Sequence, residues 1–405
     1  TGTVIYAKNE DEALPPASVT KIMTLLLVME AVEAGKVGWD DLVTVSEHAA
    51  SMGGSQIWLE PGEIMSVEEL VKAAAVVSAN DCSVALGEHL AGSCEAFVER
   101  MNQRAVSLGC ENTHFANPHG LHNDDHYTTA HDIYLIARAA MENDTFRTIV
   151  STHSYEIPAT NMHKARLFYS TNALLVTWYY RESYIYDKTI GIKTGTTDEG
   201  GYCLLSAAED GEDYLISVVL NAPLLEKEDG GSDRRQFTES RELFKWGFSN
   251  FARRQIVDTA TPLAQVDVTL SQTDHVLVRP AHQLERTLPR ALKLEDIQQE
   301  ITLDAETVQA PVSAGQALGK LTLTYQGQEL GTVDLVAVSG AELSRLLYYL
   351  DQIQSFFQHA GVKLIAVVLI LILALFILRK TVLRPRSRYG SRYSGRRRNY
   401  TGRRR

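Results

Sequence analysis

Between Ala17 and Gly35 the apolar residues Ile22, Leu25, Leu26, Val28, Met29 and Val32 recur at helical spacing, and Pro15-Pro16 can lead into a helix but not sit inside one. This predicts a largely apolar helix whose first turn carries Ser18 and Lys21. A second apolar helix is predicted over Val67 to Val77, ending at Ser78-Ala79-Asn80-Asp81, with a third over Cys82 to Leu90. Thr189 to Thr197 and Tyr202 to Ala207 read as strands, as does Val4 to Ala7 before a turn at Asn9-Glu10-Asp11. Because a strand begins so close to Thr1, with neither Met nor a signal peptide ahead of it, the expectation is an N-terminus that lay further upstream.

From Val257 the pattern changes to short alternating runs: Val266 to Leu270, His275 to Val278, Leu321 to Tyr325 and Val333 to Val336. They predict a small all-β domain whose outward residues are polar, a spacer or docking module. Leu343, Leu346, Leu347, Leu350, Ile353 and Phe357 then form one stripe of an amphipathic helix. Leu364 to Leu378 is an unbroken apolar run, and with Ala360 to Lys363 it is long enough to cross a hydrocarbon layer. The expected organisation is therefore a mixed α/β (α+β) domain over 1–253, a β-rich domain over 254–340, an amphipathic helix over 341–359, a transmembrane helix over 360–378 and a basic tail over 379–405.

Charge sharpens that division. The formal net charge of −11 averages two unlike regions, because residues 379–405 carry 12 of the 39 Lys and Arg and no acidic residue. The remaining 378 residues hold 27 basic against 50 acidic side chains, so nucleic acid is not an expected partner of the body. Basic residues directly after an apolar span favour the cytoplasmic side, which places the tail inside and the rest of a single-pass cell-membrane protein outside. Cys82, Cys94, Cys110 and Cys203 lack metal-site spacing and read as buried thiols, with a disulfide among the first three left open.

Three short motifs carry candidate chemistry. Residues three apart on a helix share a face, so Lys21 lies beside the Ser18 hydroxyl in an apolar setting that favours a neutral, basic amine. Taken alone, Ser-x-x-Lys equally fits a capping serine and a solvated lysine. Ser78 and Asn80 offer a hydroxyl and an amide from a corner between helices, suited to passing a proton and holding a substrate amide, though such residues also cap helices. Lys193 and Thr194, followed by Gly195 on a strand edge, suit capture of a carboxylate, though a plain hairpin would also contain them.

In that order and at those separations, Ser18-x-x-Lys21, Ser78-x-Asn80 and Lys193-Thr194-Gly195 resemble the three motifs of the penicillin-recognising serine acyltransferases. The stretches Leu14 to Thr24, Phe115 to Leu121, Gly191 to Gly195 and Trp246 to Phe251 are similar to the low-molecular-mass penicillin-binding proteins that act as serine D-alanyl-D-alanine carboxypeptidases of peptidase family S11. The resemblance, over roughly residues 1–340, implies a β-lactamase-like transpeptidase domain with a helix-flanked antiparallel sheet, followed by a β-rich domain and a membrane anchor. It also implies roles. Ser18 attacks the penultimate D-Ala carbonyl of a peptidoglycan pentapeptide with Lys21 as base, Ser78 passes the proton to the leaving D-Ala, and Asn80 holds the peptide amide. Lys193 and Thr194 bind the terminal carboxylate beside Gly195, and the amides of Ser18 and Thr196 form the oxyanion hole. β-Lactams are then covalent inhibitors, and no cofactor is needed.

Thr196 stands where better-known members often carry His, and a full span replaces the amphipathic anchor of many relatives. His114, His119, His122, His126 and His131, with Asp124 and Asp125 among them, invite a zinc-peptidase reading, but their spacing is not that of a helical His pair and no metal is expected. A β-lactamase shares the three motifs, yet no Glu-x-x-x-Asn lies between Asn80 and Lys193 to supply a class A deacylating base. A catalytically idle penicillin-binding sensor or scaffold is the third reading.

Overall fold

A computed structural model describes residues 1–180, 183–228 and 230–381; most of the basic tail, from 382 on, lies outside the described residues. The chain forms two compact units, one of Thr1–Ile256 with Glu285–Asp296, the other of the remainder. Residues 285–296 join the first unit because the strand Leu284–Pro289 pairs with Phe251–Val257, and the ion pairs of Arg253 with Glu285 and of Arg290 with Asp213 at 2.8 Å add to it.

In the first unit an antiparallel sheet of three strands, β1 (Thr189–Thr197), β2 (Gly201–Asp210) and β3 (Asp213–Ala222), lies between helical layers. The central strand shows why. Successive side chains on β2 point to opposite faces, so Cys203, Leu205 and Ala207 enter one core, shared with the helix α1 (Lys21–Glu33). Leu204 and Ala208 enter another, with Phe237, Phe244 and Phe248 of the helix α2 (Arg235–Asn250). α1 is buried on nearly all sides, which accounts for its almost continuous apolar sequence.

The predicted helix from Ala17 is present with a tighter start: Ala17–Thr20 is one 3-10 turn and the α-helix begins at Lys21. Asn80 is the first residue of its helix, Asn80–Ala91, rather than part of the connection before it. Val4 to Ala7 is not a strand. Ile5 packs where it meets Gly247, and Tyr6 stands edge-on to Trp246 with ring centroids 6.1 Å apart, so these side chains dock on α2 while β3 remains an edge strand. A cavity of about 1080 Å³ separates residues 1–12 from that edge, away from the motif residues.

The second unit contains a six-stranded sheet in which five antiparallel or parallel pairings place Gln298–Leu303 at one edge and Thr307–Gln309 at the other. All four expected strand segments belong to it. An exposed amphipathic helix, Arg345–Gln358, and an apolar helix, Ala360–Thr381, follow. The latter, about 33 Å long at 1.5 Å per residue, is the candidate membrane span among the described residues.

Candidate active site

Proline at 15 and 16 and a left-handed Ala17, at φ +48°, turn the chain sharply into the helix and leave Ser18 half-exposed at its start. Thr20 Oγ1 donates to the Ala17 carbonyl at 2.8 Å and so ties the turn down. His126 completes the tether. Its Nδ1 accepts from the Ala116 amide at 2.9 Å, which leaves the proton on Nε2, 2.7 Å from Thr20 Oγ1. Burial pushes His126 down to about 4 and keeps this ring neutral.

Lys21 is fully buried at the floor, and its Nζ has three partners: Ser18 Oγ at 3.0 Å, Asn80 Oδ1 at 2.6 Å and the His119 carbonyl at 2.6 Å. Two of these can only accept. The Ser18 hydroxyl alone can also donate, so a neutral amine that spends its two protons on Asn80 and His119 turns its lone pair to Ser18. Burial, and then the neighbouring charge of Lys193, hold Lys21 well below the usual lysine range, in the direction that arrangement needs. The orientation of the Asn80 amide is fixed independently, because its Nδ2 donates to the Gly53 carbonyl at 2.7 Å.

Ser78 precedes Asn80 by two residues. It sits at φ +66°, and its buried Oγ has no hydrogen-bond partner among the described residues. On the opposite wall, β1 runs against the 3-10 turn so closely that a β-carbon on Gly195 would lie 3.0 Å from the Ser18 amide nitrogen. Lys193 is buried, donates to the Thr194 carbonyl at 2.9 Å and is pushed down to about 7 by burial. Thr194 Oγ1 is 2.6 Å from Thr171 Oγ1, and Thr196 is exposed at the rim. The structure thus brings Ser18 and Lys21 together with Asn80, and sets the strand that carries Lys193 and Gly195 against them.

Sequence reasoning missed several supports. The His119 carbonyl, Gly120, His126, Thr20, Asp81 and Thr171 all hold motif residues in place, and of these only Thr20, His119 and Gly120 lay in stretches that carried a signal, by resemblance and without a role. The histidine-rich loop is dispersed by its own bonding: His114 Nδ1 meets the Asp125 carbonyl at 2.5 Å, His122 faces Asp124 at 3.3 Å, His119 Nδ1 accepts from the Leu121 amide at 3.2 Å, and His126 is committed as above. Among the described residues no group of three His, Cys, Asp or Glu side chains could hold a metal ion. The four cysteines are free thiols, three of them buried.

A serine and a desolvated lysine at the start of a buried helix, set against the edge of an antiparallel sheet, fit a serine hydrolase that uses lysine as its base. Comparison with known proteins narrows this. Residues 1–224 match the family model described as D-alanyl-D-alanine carboxypeptidase, and residues 251–342 that of the penicillin-binding protein 5 C-terminal domain. The D-alanyl-D-alanine carboxypeptidase DacF of Bacillus subtilis (strain 168) is 34% identical over 87% of this chain and 86% of its own, and DacC of Escherichia coli (strain K12) 31% identical over 84% and 82%. Among solved structures, penicillin binding protein 5 from Haemophilus influenzae superposes with a TM-score of 0.68 at 28% identity, covering 84% of this chain and 94% of that one. The chain belongs to the D-alanyl-D-alanine carboxypeptidase family of serine peptidases.

Proposed function

We propose that this chain removes the terminal D-alanine from peptidoglycan stem peptides through an acyl-enzyme on Ser18. The observation that carries this assignment of residues is the three-way bonding of Lys21, which leaves one direction for its lone pair, toward Ser18 Oγ. Lys21 takes the hydroxyl proton as Ser18 attacks the penultimate carbonyl. The oxyanion meets the backbone amides of Ser18 and Thr196. Ser78, whose Oγ is otherwise unpartnered, passes the proton to the leaving D-Ala nitrogen. Asn80 holds the amide on the acyl side, and Lys193 with Thr194 holds the terminal carboxylate, which makes the activity that of an exopeptidase. Water then hydrolyses the ester. A β-lactam acylates Ser18 by the same path and leaves slowly.

Ala360–Thr381 serves as a single membrane span in this reading. The basic residues that begin at Arg379 put the C-terminal end in the cytoplasm and residues 1–359 outside, where stem peptides are. The decisive experiment is D-alanine release from a peptide ending in D-Ala-D-Ala, with penicillin and EDTA as separate controls. Release blocked by penicillin but not by EDTA supports the assignment. Stable penicillin labelling without release would instead favour the idle sensor, and rapid turnover of penicillin a β-lactamase.

A further inference from the structure

Between Tyr169 and β1 the chain carries an aromatic strip that takes no part in the acyl-enzyme chemistry. Trp178 is 64% exposed and lies flat on Tyr169, with ring centroids 4.1 Å and planes 15° apart, so one face of the indole is covered and the other is open to solvent. Tyr179, also exposed, is tied down by its hydroxyl, which donates to the Tyr169 carbonyl at 3.2 Å, and its ring lies 6.4 Å from that of Tyr180. Tyr180 in turn stands 4.6 Å from the Arg234 guanidinium, and Tyr202 stands 5.0 Å from the same group.

Arg234 differs from the residue beside it. Arg235 pairs with both Asp233 and Glu239, whereas among the described residues the Arg234 guanidinium meets two aromatic rings and no carboxylate. The rings hold its plane and leave its fork of N–H donors for a ligand.

Both ends of the strip reach the flank of the active site. Tyr169 is two residues from Thr171, whose Oγ1 is 2.6 Å from Thr194 Oγ1, and Tyr202 is the Cα partner of Thr196 across the pairing of β1 with β2. With consecutive Cα atoms 3.8 Å apart, the Cα of Tyr169 is within about 7.6 Å of that of Thr171.

We propose that this strip binds the glycan of polymeric peptidoglycan, with an N-acetylated amino sugar stacked on the open face of Trp178 and sugar oxygens accepting from Arg234. This deepens the carboxypeptidase reading and rests on it. A pyranose ring has a face of C–H groups that suits a flat indole and a rim of oxygens that suits a planar set of donors. Stem peptides are carried on such a glycan, so saccharide is at hand wherever a polymer-borne peptide is bound. An apolar protein partner would cover the same rings but leave the Arg234 donors unmet.

The test uses the full chain and compares D-alanine release from uncross-linked glycan strands bearing pentapeptide with release from the same pentapeptide free in solution. The expected preference in kcat/KM is about tenfold for the polymer. An oligomer of β-1,4-linked N-acetylglucosamine should slow release from the polymer but not from the free peptide. Trp178→Ala and Arg234→Gln should each remove most of the preference, mainly through KM, and Trp178→Phe should keep most of it. Equal kcat/KM for the two substrates, a preference that Trp178→Ala and Arg234→Gln leave intact, or an oligomer that slows both substrates alike overturns this inference alone. Failure of the unsubstituted chain to cleave either substrate overturns the carboxypeptidase assignment and this inference with it.

Discussion

Gly120 lies so close to Ala17 that a β-carbon on it would fall 1.9 Å from the Ala17 carbonyl oxygen and 2.8 Å from Thr20 Oγ1. Its φ of +90° adds a second reason why only glycine fits. The contact matters because the carbonyl of the preceding residue, His119, accepts from Lys21, and Ala17 sets the direction of Ser18. Gly120→Ala should therefore cost about 3 kcal/mol or more in urea unfolding and abolish labelling by fluorescent penicillin. Labelling at the native rate would show that the Ser18 turn does not depend on this approach.

Ser18→Ala should abolish penicillin labelling and D-alanine release together while changing stability by less than about 1 kcal/mol, because Ser18 is half-exposed and Lys21 keeps its two carbonyl-type acceptors. Lys21→Ala should differ in stability. It leaves the buried Asn80 Oδ1 and His119 carbonyl without their donor, a loss of about 1–3 kcal/mol. Labelling retained by Ser18→Ala would remove Ser18 from the nucleophile role.

Lys193 gives a pH signature of definite sign. Burial lowers it from 10.5 to about 7, so the free enzyme carries this cation below about 7 and loses it above. The ratio of kcat/KM for a peptide with a free C-terminal carboxylate to that for its amide should fall as pH rises through about 7, and Lys193→Ala should flatten the dependence. Stability moves the other way. Between about 7 and 10.5 the unfolded chain holds the proton that the folded chain has released, so stability should rise with pH over that window and stay flat beneath it. A carboxylate preference constant from pH 6 to 9 would place the carboxylate elsewhere.

What the sequence makes legible here follows physical range. Ser18 and Lys21 meet through helical spacing alone, and Tyr202 to Ala207 reads as a strand from its own residues, because both effects are local. The Gly120 approach to Ala17, the bond from the Leu59 amide to Asp81 and the pairing of Thr171 with Thr194 join residues distant in sequence, and no periodicity records them. Val4 to Ala7 fails for a related reason. Its run of β-branched and aromatic residues is a genuine strand pattern, but a strand needs a partner edge, and Ile5 and Tyr6 engage α2 through their side chains. Residues 285–296 likewise follow the pairing of Leu284–Pro289 with Phe251–Val257 rather than the composition around them.

Ser78 offers the sharpest separation of structure from chemistry. A non-glycine residue at φ +66° is strained, and a buried hydroxyl without a partner forfeits the hydrogen bonds it had in water, so the folded state carries two costs at one position. Removing them should help folding. Ser78→Gly is expected to leave stability unchanged or raise it by about 1 kcal/mol, and Ser78→Ala, which removes the hydroxyl but keeps the β-carbon, to gain less. Catalysis should respond in the opposite sense. In the proposed mechanism the hydroxyl carries the proton to the leaving D-Ala nitrogen, so kcat should fall by about 10²–10⁴ in both variants. Single-turnover measurement of D-alanine release, set beside thermal unfolding, reads both effects on the same samples. If stability rises and release stays at the native rate, the proton travels by another route and the strain at Ser78 has no catalytic return.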